Sequence, residues 1–265
     1  MKVLRPQTSK QESQHDGRQQ FALNATRRNP KTSEVIARDL AYHIVSNHLP
    51  EGAMLPVEKD MLETLGVGRT TLREALRLLE SRGVLTIRAG PNGGPVVRRP
   101  RPADFSDALS LILQFEGASL ADVWEARVGL EPTIAELAAT RITDEQLAEL
   151  DDSVAAILAN PDQHDLFLNE NQRFHETIAR AAGSKVLIVM METIRSIADG
   201  AVLGVQYPDR RRKAVAEAHD RISVALRRHD PPAAAAAMRQ HVSEAGNYWE
   251  QKYPELYGRP VRWLS

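Results

Sequence analysis

Cysteine is absent from this 265-residue chain, which excludes disulfide stapling. No apolar run approaches the roughly 18 consecutive residues that a membrane span needs. The N-terminal stretch MKVLRPQTSKQESQHDGRQQ also lacks the apolar core of a secretory signal. These absences together predict a cytoplasmic protein with no membrane partner.

The composition is that of a soluble globular protein, with 42% hydrophobic and 26% charged residues. The chain is long enough for two domains that each bury a core. Its net charge of −1 conceals an uneven distribution. Residues 27–101 contain 13 Lys and Arg against 8 Asp and Glu, whereas residues 102–265 contain 17 against 25. A basic segment before an acidic one is typical of a polyanion-binding module joined to a separate domain.

The first part of the chain predicts a flexible tail, three helices and a hairpin. Residues 1–30 are polar and predict the tail. Apolar residues at helical spacing predict helices at 33–47, 56–65 and 70–83, and Thr70 or Thr71 is the expected cap of the third. Two β-rich runs then flank a turn rich in Gly, Pro and Asn, which indicates a hairpin. This order is that of a winged helix-turn-helix, placed at residues 31–98.

The rest of the chain predicts an all-α helical bundle. The Arg- and Pro-rich segment 99–105 is a predicted linker, residues 106–250 form the predicted second domain, and residues 251–265 form a C-terminal extension. Apolar spacing indicates helices at 104–116, 119–140, 143–158, 161–182, 184–204, 209–229 and 231–250. The predicted fold class is therefore mainly α.

The third helix carries side chains suited to reading DNA. In a helix-turn-helix this helix lies in the major groove, with its N-terminal side chains at base edges. Arg69 and Arg73 lie one turn apart, and the arginine fork matches the O6 and N7 atoms of guanine. Thr70 and Thr71 can reach a phosphate or a thymine methyl group. The remaining candidates for DNA contact are Lys59, Arg77, Gly93 and Gly94.

An ordinary solvated helix face, with Glu74 or Glu80 as ion-pair partner, is the alternative for any single arginine. The stretch MLPVEKDMLETLGVGRTTLREALRLLESRGVLTIRAGPNGGPVV, however, resembles the DNA-binding domain of the GntR family of bacterial transcription regulators. The resemblance rests on Leu55-Pro56, Glu58, Leu65-Gly66-Val67, Arg69-Thr70, Arg73-Glu74-Ala75-Leu76 and Gly83. It implies a homodimer that binds a near-palindromic operator in double-stranded DNA.

Three histidines lie on the apolar stripes of separate predicted helices. They are His175, His219 and His241, and inward imidazoles from separate helices are what bundle-core metal sites are built from. Asn171 is a second metal-capable side chain, one turn before His175 on the same face. Imidazole suits zinc, nickel, copper or iron, so the ligand type does not choose the metal. The alternative for each histidine is a core residue that bonds a neighbour.

A charged pair also interrupts an apolar stripe. Arg127 and Glu131 lie one turn apart among Leu120, Val123, Trp124 and Ile134. One interpretation is a buried intrahelical salt bridge, since a buried charge must be paired. The other is that Arg127 clamps the carboxylate of a small ligand with two hydrogen bonds. Arg195 is a further candidate for the same pocket.

The second half resembles the FCD effector domain of the FadR-type subgroup. The stretch NQRFH matches an Asp-x-x-x-His pair of that domain, and EAHDRI and MRQHV supply the later histidines. The resemblance implies a divalent metal on Asn171, His175, His219 and His241, with zinc as first candidate and nickel as second. It also implies an effector site that includes Arg127 and Glu131. Asn171 stands where the family usually has Asp, which removes a negative charge and lowers the expected metal affinity.

These features predict a DNA-binding transcription regulator, a repressor whose operator affinity depends on a small organic acid bound beside the metal. Two alternatives remain open at this point. One is a helical metalloenzyme with an accessory DNA-binding domain, because a three-histidine site with an open position could activate water. The other is a metal-free dimerisation module with a polar core.

Overall fold

The structure is a computed structural model that describes residues 31–90, 93–199 and 203–263. The predicted tail at 1–30 therefore lies outside the described residues, as do Pro91 and Asn92 at the hairpin turn. The first part of the chain forms three helices and a two-stranded sheet: α1 (Thr32–Ser46), α2 (Glu58–Leu65), α3 (Arg69–Ser81), β1 (Leu85–Arg88) and β2 (Gly94–Val97). This order confirms the winged helix-turn-helix.

One small core holds this part together. Helix α3 buries one apolar stripe, Leu72, Ala75, Leu76 and Leu79, against α1. The strands pair antiparallel, with Leu85 opposite Val97 and Arg88 opposite Gly94. A bridge between Met54 and Val96 ties the segment before α2 to the hairpin.

The third helix starts earlier than its expected cap. Gly68 is the N-cap residue and makes no side-chain cap, so the prediction of Thr70 or Thr71 as the cap was wrong. The reason is the short turn: Gly66 ends α2 in the left-handed conformation with φ 64°, and the chain re-enters a helix at Arg69. Helix α2 in turn starts at Glu58 rather than Pro56, because Val57 is still extended.

The second part is a helical bundle, and the regular elements of its described residues are helices. Seven helices lie near the segments predicted from apolar spacing: α4 (Pro102–Glu116), α5 (Leu120–Ala139), α6 (Asp144–Ala159), α7 (His164–Ala182), α8 (Lys185–Ile197), α9 (Asp209–Arg227) and α10 (Pro231–Lys252). A short helix that was not predicted, α11 (Pro254–Tyr257), follows them in the C-terminal extension. None of the helices in the described ranges combines the length and apolarity needed to cross a bilayer.

Helices α5, α7, α9 and α10 surround the centre of the bundle. Helix α5 packs along α10 and against α7, while α9 packs against α6 and α10. The largest fully buried side chains include Phe167, Phe174 and Trp249. Because α7, α9 and α10 all border this centre, side chains on their inner faces meet there.

A proline interrupts the hydrogen-bond ladder of α5 next to a predicted site residue. Pro132 has no N–H group, so the carbonyl of Val128, four residues earlier, loses its intrahelical donor. Arg239 of α10 supplies a replacement through Nη1, 3.2 Å from that carbonyl oxygen. Pro132, one residue after Glu131, therefore frees the Val128 carbonyl, and that carbonyl links α5 to α10.

Two helix boundaries differ from the sequence prediction, and the C-terminal extension is part of the bundle. Helix α4 begins at Pro102, inside the predicted linker, because Pro suits the first helical position and Asp104 accepts the Arg101 N–H at 2.7 Å. Helix α8 ends at Ile197 and not at the predicted residue 204; two glycines, which are poor helix formers, fall in the segment 198–204, of which residues 200–202 lie outside the described ranges. The C-terminal extension packs on the bundle, where Val261 is buried and donates to the Ala118 carbonyl at 2.8 Å.

Candidate functional site

The exposed face of α3 carries the arginines predicted to read DNA. Arg69, Arg73 and Arg77 are all exposed on this helix, opposite its buried stripe. The Nε atom of Arg73 lies 3.2 Å from Oε2 of Glu58 on α2, and the Arg73 side chain remains 61% exposed. The partner is therefore Glu58 and not Glu74 or Glu80, the two that the sequence suggested.

The other predicted DNA contacts have different surroundings. Lys59 and Thr70 are exposed, whereas Thr71 is half-buried. Gly93 is required by the hairpin itself, because an added Cβ would lie 2.2 Å from the Arg88 carbonyl oxygen. Gly94 pairs with Arg88 at the end of the sheet. A tight backbone turn therefore explains Gly93 independently of any DNA contact.

The three predicted imidazoles meet in the centre of the bundle. Helix α7 supplies His175, α9 supplies His219 and α10 supplies His241, and one ring nitrogen of each lies within 4.8 Å of the others. The Nε2 atoms of His175 and His241 are 3.3 Å apart. All three rings are buried, with exposed fractions of at most 5%.

His219 has no polar partner for either ring nitrogen among the described residues. Its ring stacks flat on Phe174, with centroids 3.8 Å apart and an interplanar angle of 2°. Burial, followed by the charges of His241 and His175, lowers the pKa of His219 well below the ordinary histidine value. Burial likewise lowers the pKa of His241. Both rings are therefore neutral near pH 7 and keep a lone pair available for a metal.

Glu131 contacts the Nδ1 side of the His175 ring. Its Oε2 atom lies 2.7 Å from Nδ1 of His175, and its Oε1 atom accepts a hydrogen bond of 2.6 Å from Nε of Arg127. Burial alone would raise the pKa of Glu131, but the charges of Arg127 and His175 outweigh it and lower that pKa. A carboxylate on Nδ1 fixes the ring and directs Nε2 toward the other imidazoles.

A zinc ion fits this donor set. Zinc–nitrogen bonds of about 2.0–2.1 Å place tetrahedral ligand nitrogens about 3.4 Å apart, close to the spacing of the His175 and His241 nitrogens. Either of the two unpaired nitrogens of His219 could serve as the third donor. Buried polar atoms normally have hydrogen-bond partners. An unpaired imidazole inside such a cluster is therefore expected where the ring is a metal ligand.

A cavity of about 460 Å³ opens beside the imidazoles. Its wall includes Asn171, His175 and His241 together with Arg127 and Arg195. The structure thus brings most of the predicted metal and effector residues to one wall. His219 and Glu131 lie behind that wall, so a contact of Glu131 with a ligand would be indirect, through Arg127 and His175.

Arg127 shows both features that the sequence left as alternatives. It forms the buried intrahelical ion pair with Glu131, and it also lines the cavity. Its guanidinium carbon lies 4.1 Å from the centroid of the Trp124 ring. Only Nε serves the ion pair, which leaves the terminal N–H groups for another acceptor. Arg195 is half-buried and donates through Nη1 to the Gln172 carbonyl at 3.2 Å.

Two further arginines of the cavity wall were missed by the sequence interpretation. Arg211 lies at the start of α9 in the run DRRRK, a pattern that predicts a solvated helix end. In the structure Arg211 lines the cavity, and the neighbouring Arg212 is buried and donates to the Pro161 carbonyl at 2.5 Å. Arg101 belongs to the segment predicted as a linker. Because charged runs usually face solvent, no sequence signal separated the inward arginine from the others.

Comparison with known families assigns both domains. Residues 32–92 match the family of bacterial regulatory proteins, gntR family, and residues 122–244 match the FCD domain. The chain belongs to the GntR family. Its second domain is an FCD domain, and the two matches account for both halves of the structure.

Relatives of this GntR protein are transcription regulators. The uncharacterized HTH-type transcriptional regulator YcbG of Bacillus subtilis is 29% identical over 233 residues, which are 86% of this chain and 94% of YcbG. The HTH-type transcriptional repressor NanR of Edwardsiella tarda is 27% identical over 227 residues, 83% of this chain and 85% of NanR. A solved GntR structure from Streptococcus agalactiae has a TM-score of 0.61 at 28% identity and covers 80% of this chain and 98% of its own.

The GntR protein is therefore a DNA-binding transcription regulator and not an enzyme. The families and these relatives agree on that class. The metalloenzyme alternative is dropped on that ground.

Acidification should destabilise the metal-free regulator through its imidazole cluster. Burial lowers the pKa of His219 and His241 in the native state, so the unfolded chain binds protons at a higher pH than the native chain. This stability is fully present above the ordinary histidine pKa of about 6.5 and is lost as the pH falls below it. Thermal unfolding in chelator should show a Tm that falls from about pH 7.5 to about pH 5.

The control is a pair of single variants. His219→Phe should flatten this pH dependence, because it removes one buried titratable ring, whereas His43→Gln on the exposed face of α1 should leave it unchanged. An equally steep dependence in His219→Phe and wild type would contradict the prediction.

Proposed function

We propose that this regulator is a cytoplasmic homodimeric repressor whose affinity for a near-palindromic operator is set by a small carboxylate bound beside a divalent metal. The observation that carries the proposal is the convergence of three buried imidazoles within 4.8 Å at the wall of a cavity that arginines also line. The related NanR of Edwardsiella tarda is a transcriptional repressor by name, which supports repression as the direction of regulation.

The metal ligands in this proposal are His175, His219 and His241, with the amide oxygen of Asn171 as the fourth. Zinc is the first candidate and nickel the second, since imidazole suits both. When bound, the ion would supply positive charge and could accept a carboxylate oxygen as an additional ligand. Glu131 orients His175, and its charge offsets that of Arg127.

Arg127 and Arg195 are the proposed clamp for the carboxylate. Arg127 lies on α5 and Arg195 lies on α8, and both side chains line the cavity that His175 of α7 also lines. Arginine presents a planar fork of donors that matches a carboxylate. The pair therefore offers hydrogen bonds in addition to charge.

The segment that joins the domains also borders the cavity, which supports coupling to DNA binding. Arg101, Pro102 and Ala103 lie in the cavity wall where α4 begins. The Arg101 side chain also approaches Glu51 of the first domain, with Nη2 3.9 Å from Oε1. An anion in the cavity acts directly on this segment. A differential affinity of about 1–3 kcal/mol for two domain arrangements is typical of such coupling.

An exposed apolar surface supports a homodimer. Helices α4 and α8 pack on each other and together leave a group of large apolar side chains exposed: Phe105, Leu111, Ile112, Phe115, Val186, Val189 and Met190. Phe115 is the most exposed, at 85%. Contiguous apolar patches of this kind mark protein interfaces. A second copy, required to read two half-sites, is the proposed occupant.

Arg73→Ala should abolish specific operator binding and leave the fold intact. Loss of one bidentate arginine–guanine contact costs about 1–3 kcal/mol per half-site, and a dimer loses two such contacts. The measurement is a mobility shift on a duplex that wild type selects from a random pool. Arg227→Ala, an exposed arginine of α9 far from α3 in the chain, is the matched control. Wild-type affinity in Arg73→Ala would remove this residue from base reading.

A carboxylate should raise the Tm of the zinc-loaded protein, and chelator should abolish the shift. The screen is a panel of organic acids, with and without EDTA. Arg127→Ala should lose the shift, but it also leaves the buried Glu131 carboxylate without its arginine and so destabilises the protein. Arg195→Ala therefore serves as a second variant, because Arg195 has no ion pair with Glu131.

Metal analysis belongs to the same experiment. Wild type should retain about one ion per chain and His219→Ala none. No bound metal, together with no acid-dependent shift, would leave the metal-free dimerisation module as the function of the second domain.

Phe115→Glu should convert the dimer to a monomer at micromolar concentration. A charge placed within the proposed apolar interface would be left unpaired when the interface closes. Analytical ultracentrifugation measures the change, and Leu158→Glu on the exposed side of α6 is the control. An unchanged dimer in Phe115→Glu would place the interface elsewhere.

A further inference from the structure

One arginine on the exposed face of α3 differs from its neighbours in having a carboxylate partner. Arg73 pairs with Glu58 of α2, whereas Arg69 and Arg77 have no ion pair among the described residues. The 3.2 Å between Nε of Arg73 and Oε2 of Glu58 is short enough for a charge-assisted hydrogen bond. Glu58 thus acts on one of three arginines, and it does so from a different helix.

The contact with Glu58 uses a single nitrogen of the Arg73 guanidinium. The hydrogen bond goes through Nε, and neither terminal nitrogen has a hydrogen-bond partner in the described parts of the chain. The Arg73 side chain remains 61% exposed. Guanine offers two acceptors, O6 and N7, which two N–H groups of one guanidinium can bind together. Nη1 and Nη2 therefore remain available as a donor pair for guanine while Nε stays bonded to the protein.

The Glu58 carboxylate is itself constrained. Glu58 is the first residue of α2, where the helix dipole favours a negative charge. Its side chain is 33% exposed, but its second oxygen, Oε1, is inaccessible to solvent and has no hydrogen-bond partner among the described residues. Since water cannot satisfy this oxygen, the carboxylate depends on Arg73 as its partner. The contact therefore restricts the direction of the guanidinium before DNA arrives, which lowers the entropy cost of binding.

A carboxylate on a DNA-binding face also opposes the general attraction for DNA. Phosphate contacts by Lys and Arg supply essentially all of the sequence-independent affinity. An arginine neutralised by Glu58 contributes less to that affinity, but its two terminal N–H groups can still bind guanine. The pair therefore disfavours random DNA relative to a site with guanine at the right position. Repulsive elements of this kind are a general source of specificity.

We propose that Glu58 is a positioning residue for DNA recognition, which directs Arg73 to one guanine of each half-site and weakens the contact of Arg73 with phosphates. This inference rests on the proposed function, in which Arg73 reads a base. It adds a residue of α2 that contacts no base and yet decides how strictly α3 discriminates between sequences.

The test compares affinities of the full chain for DNA at every base pair of the half-site. The starting duplex is the one that wild type selects from a random pool, and each base pair is replaced in turn by the other three. Arg73→Ala identifies the guanine that Arg73 reads, as the position where the wild-type preference disappears. Glu58→Ala should reduce the preference at that same position by about fivefold or more, whereas its affinity for a random duplex should not fall.

Two further variants separate the positioning of Arg73 from a change of charge. Glu58→Gln keeps an acceptor for Nε without the negative charge, so it should retain more of the guanine preference than Glu58→Ala. Glu63→Ala is the matched control, because Glu63 is an exposed carboxylate of the same helix with no ion pair among the described residues. This control should leave the guanine preference unchanged. In an Arg73→Ala background, Glu58→Ala should have no further effect on the preference.

Salt dependence gives a second readout that a folding defect would not produce. An Arg73 side chain released from Glu58 can contact a phosphate and displace one more counterion in each half-site. The slope of log K against log salt for the random duplex should therefore steepen in Glu58→Ala, by up to about 0.9 for each half-site.

The outcomes distinguish this inference from the function beneath it. An unchanged guanine preference in Glu58→Ala, with the preference lost in Arg73→Ala, would overturn the role of Glu58 and leave base reading by Arg73 standing. Equal weakening of operator and random duplex in Glu58→Ala would also overturn it, because a purely structural role predicts that result. A wild-type preference in Arg73→Ala would overturn both.

Discussion

A carboxylate buried between an arginine and an imidazole organises the second domain. Glu131 is 1% exposed, and its two oxygens contact Arg127 at 2.6 Å and His175 at 2.7 Å. A buried carboxylate without partners would be strongly destabilising, so both neighbours are fixed by its presence. The same contacts place Arg127 on the cavity wall and turn Nε2 of His175 toward His241. The arrangement of the imidazole cluster and the position of Arg127 on the cavity wall therefore depend on one buried side chain.

The first domain follows a separate constraint, which is the amphipathic pattern of α3. Burial of its apolar stripe leaves the arginines on the opposite face, and the Glu58 contact orients Arg73 from α2. The link between the domains is short: Arg98 pairs with Asp104 at 3.0 Å, and Asp104 also accepts the Arg101 N–H. The start of α4 is thus tied to Arg98, the residue that follows β2. The residues between them, Arg101 to Ala103, line the cavity.

Sequence periodicity predicted the elements and the three imidazoles, because burial imposes a 3.6-residue repeat that His175, His219 and His241 share with their apolar neighbours. It predicted less about groups whose direction depends on tertiary packing. Arg211 and Arg212 are adjacent, yet one lines the cavity and the other caps buried carbonyls. The start of α3 was also predicted wrongly, since its N-cap residue is Gly68, which has no side chain to form a cap. The sequence associated Glu131 with the effector pocket, which stays a prediction, but its place behind the cavity wall follows from a contact between α5 and α7 that the sequence does not show.

The proline in α5 gives the bundle a place to bend. Because Pro132 has no N–H group, one backbone hydrogen bond is missing at that turn of α5, and the freed Val128 carbonyl is bonded to Arg239 of α10. Flexing there would alter the spacing between Arg127 and the α10 imidazole while the ladder on either side stays intact. A point of reduced backbone hydrogen bonding in α5 thus lies one residue after the buried carboxylate, and the carbonyl that it frees is held by α10.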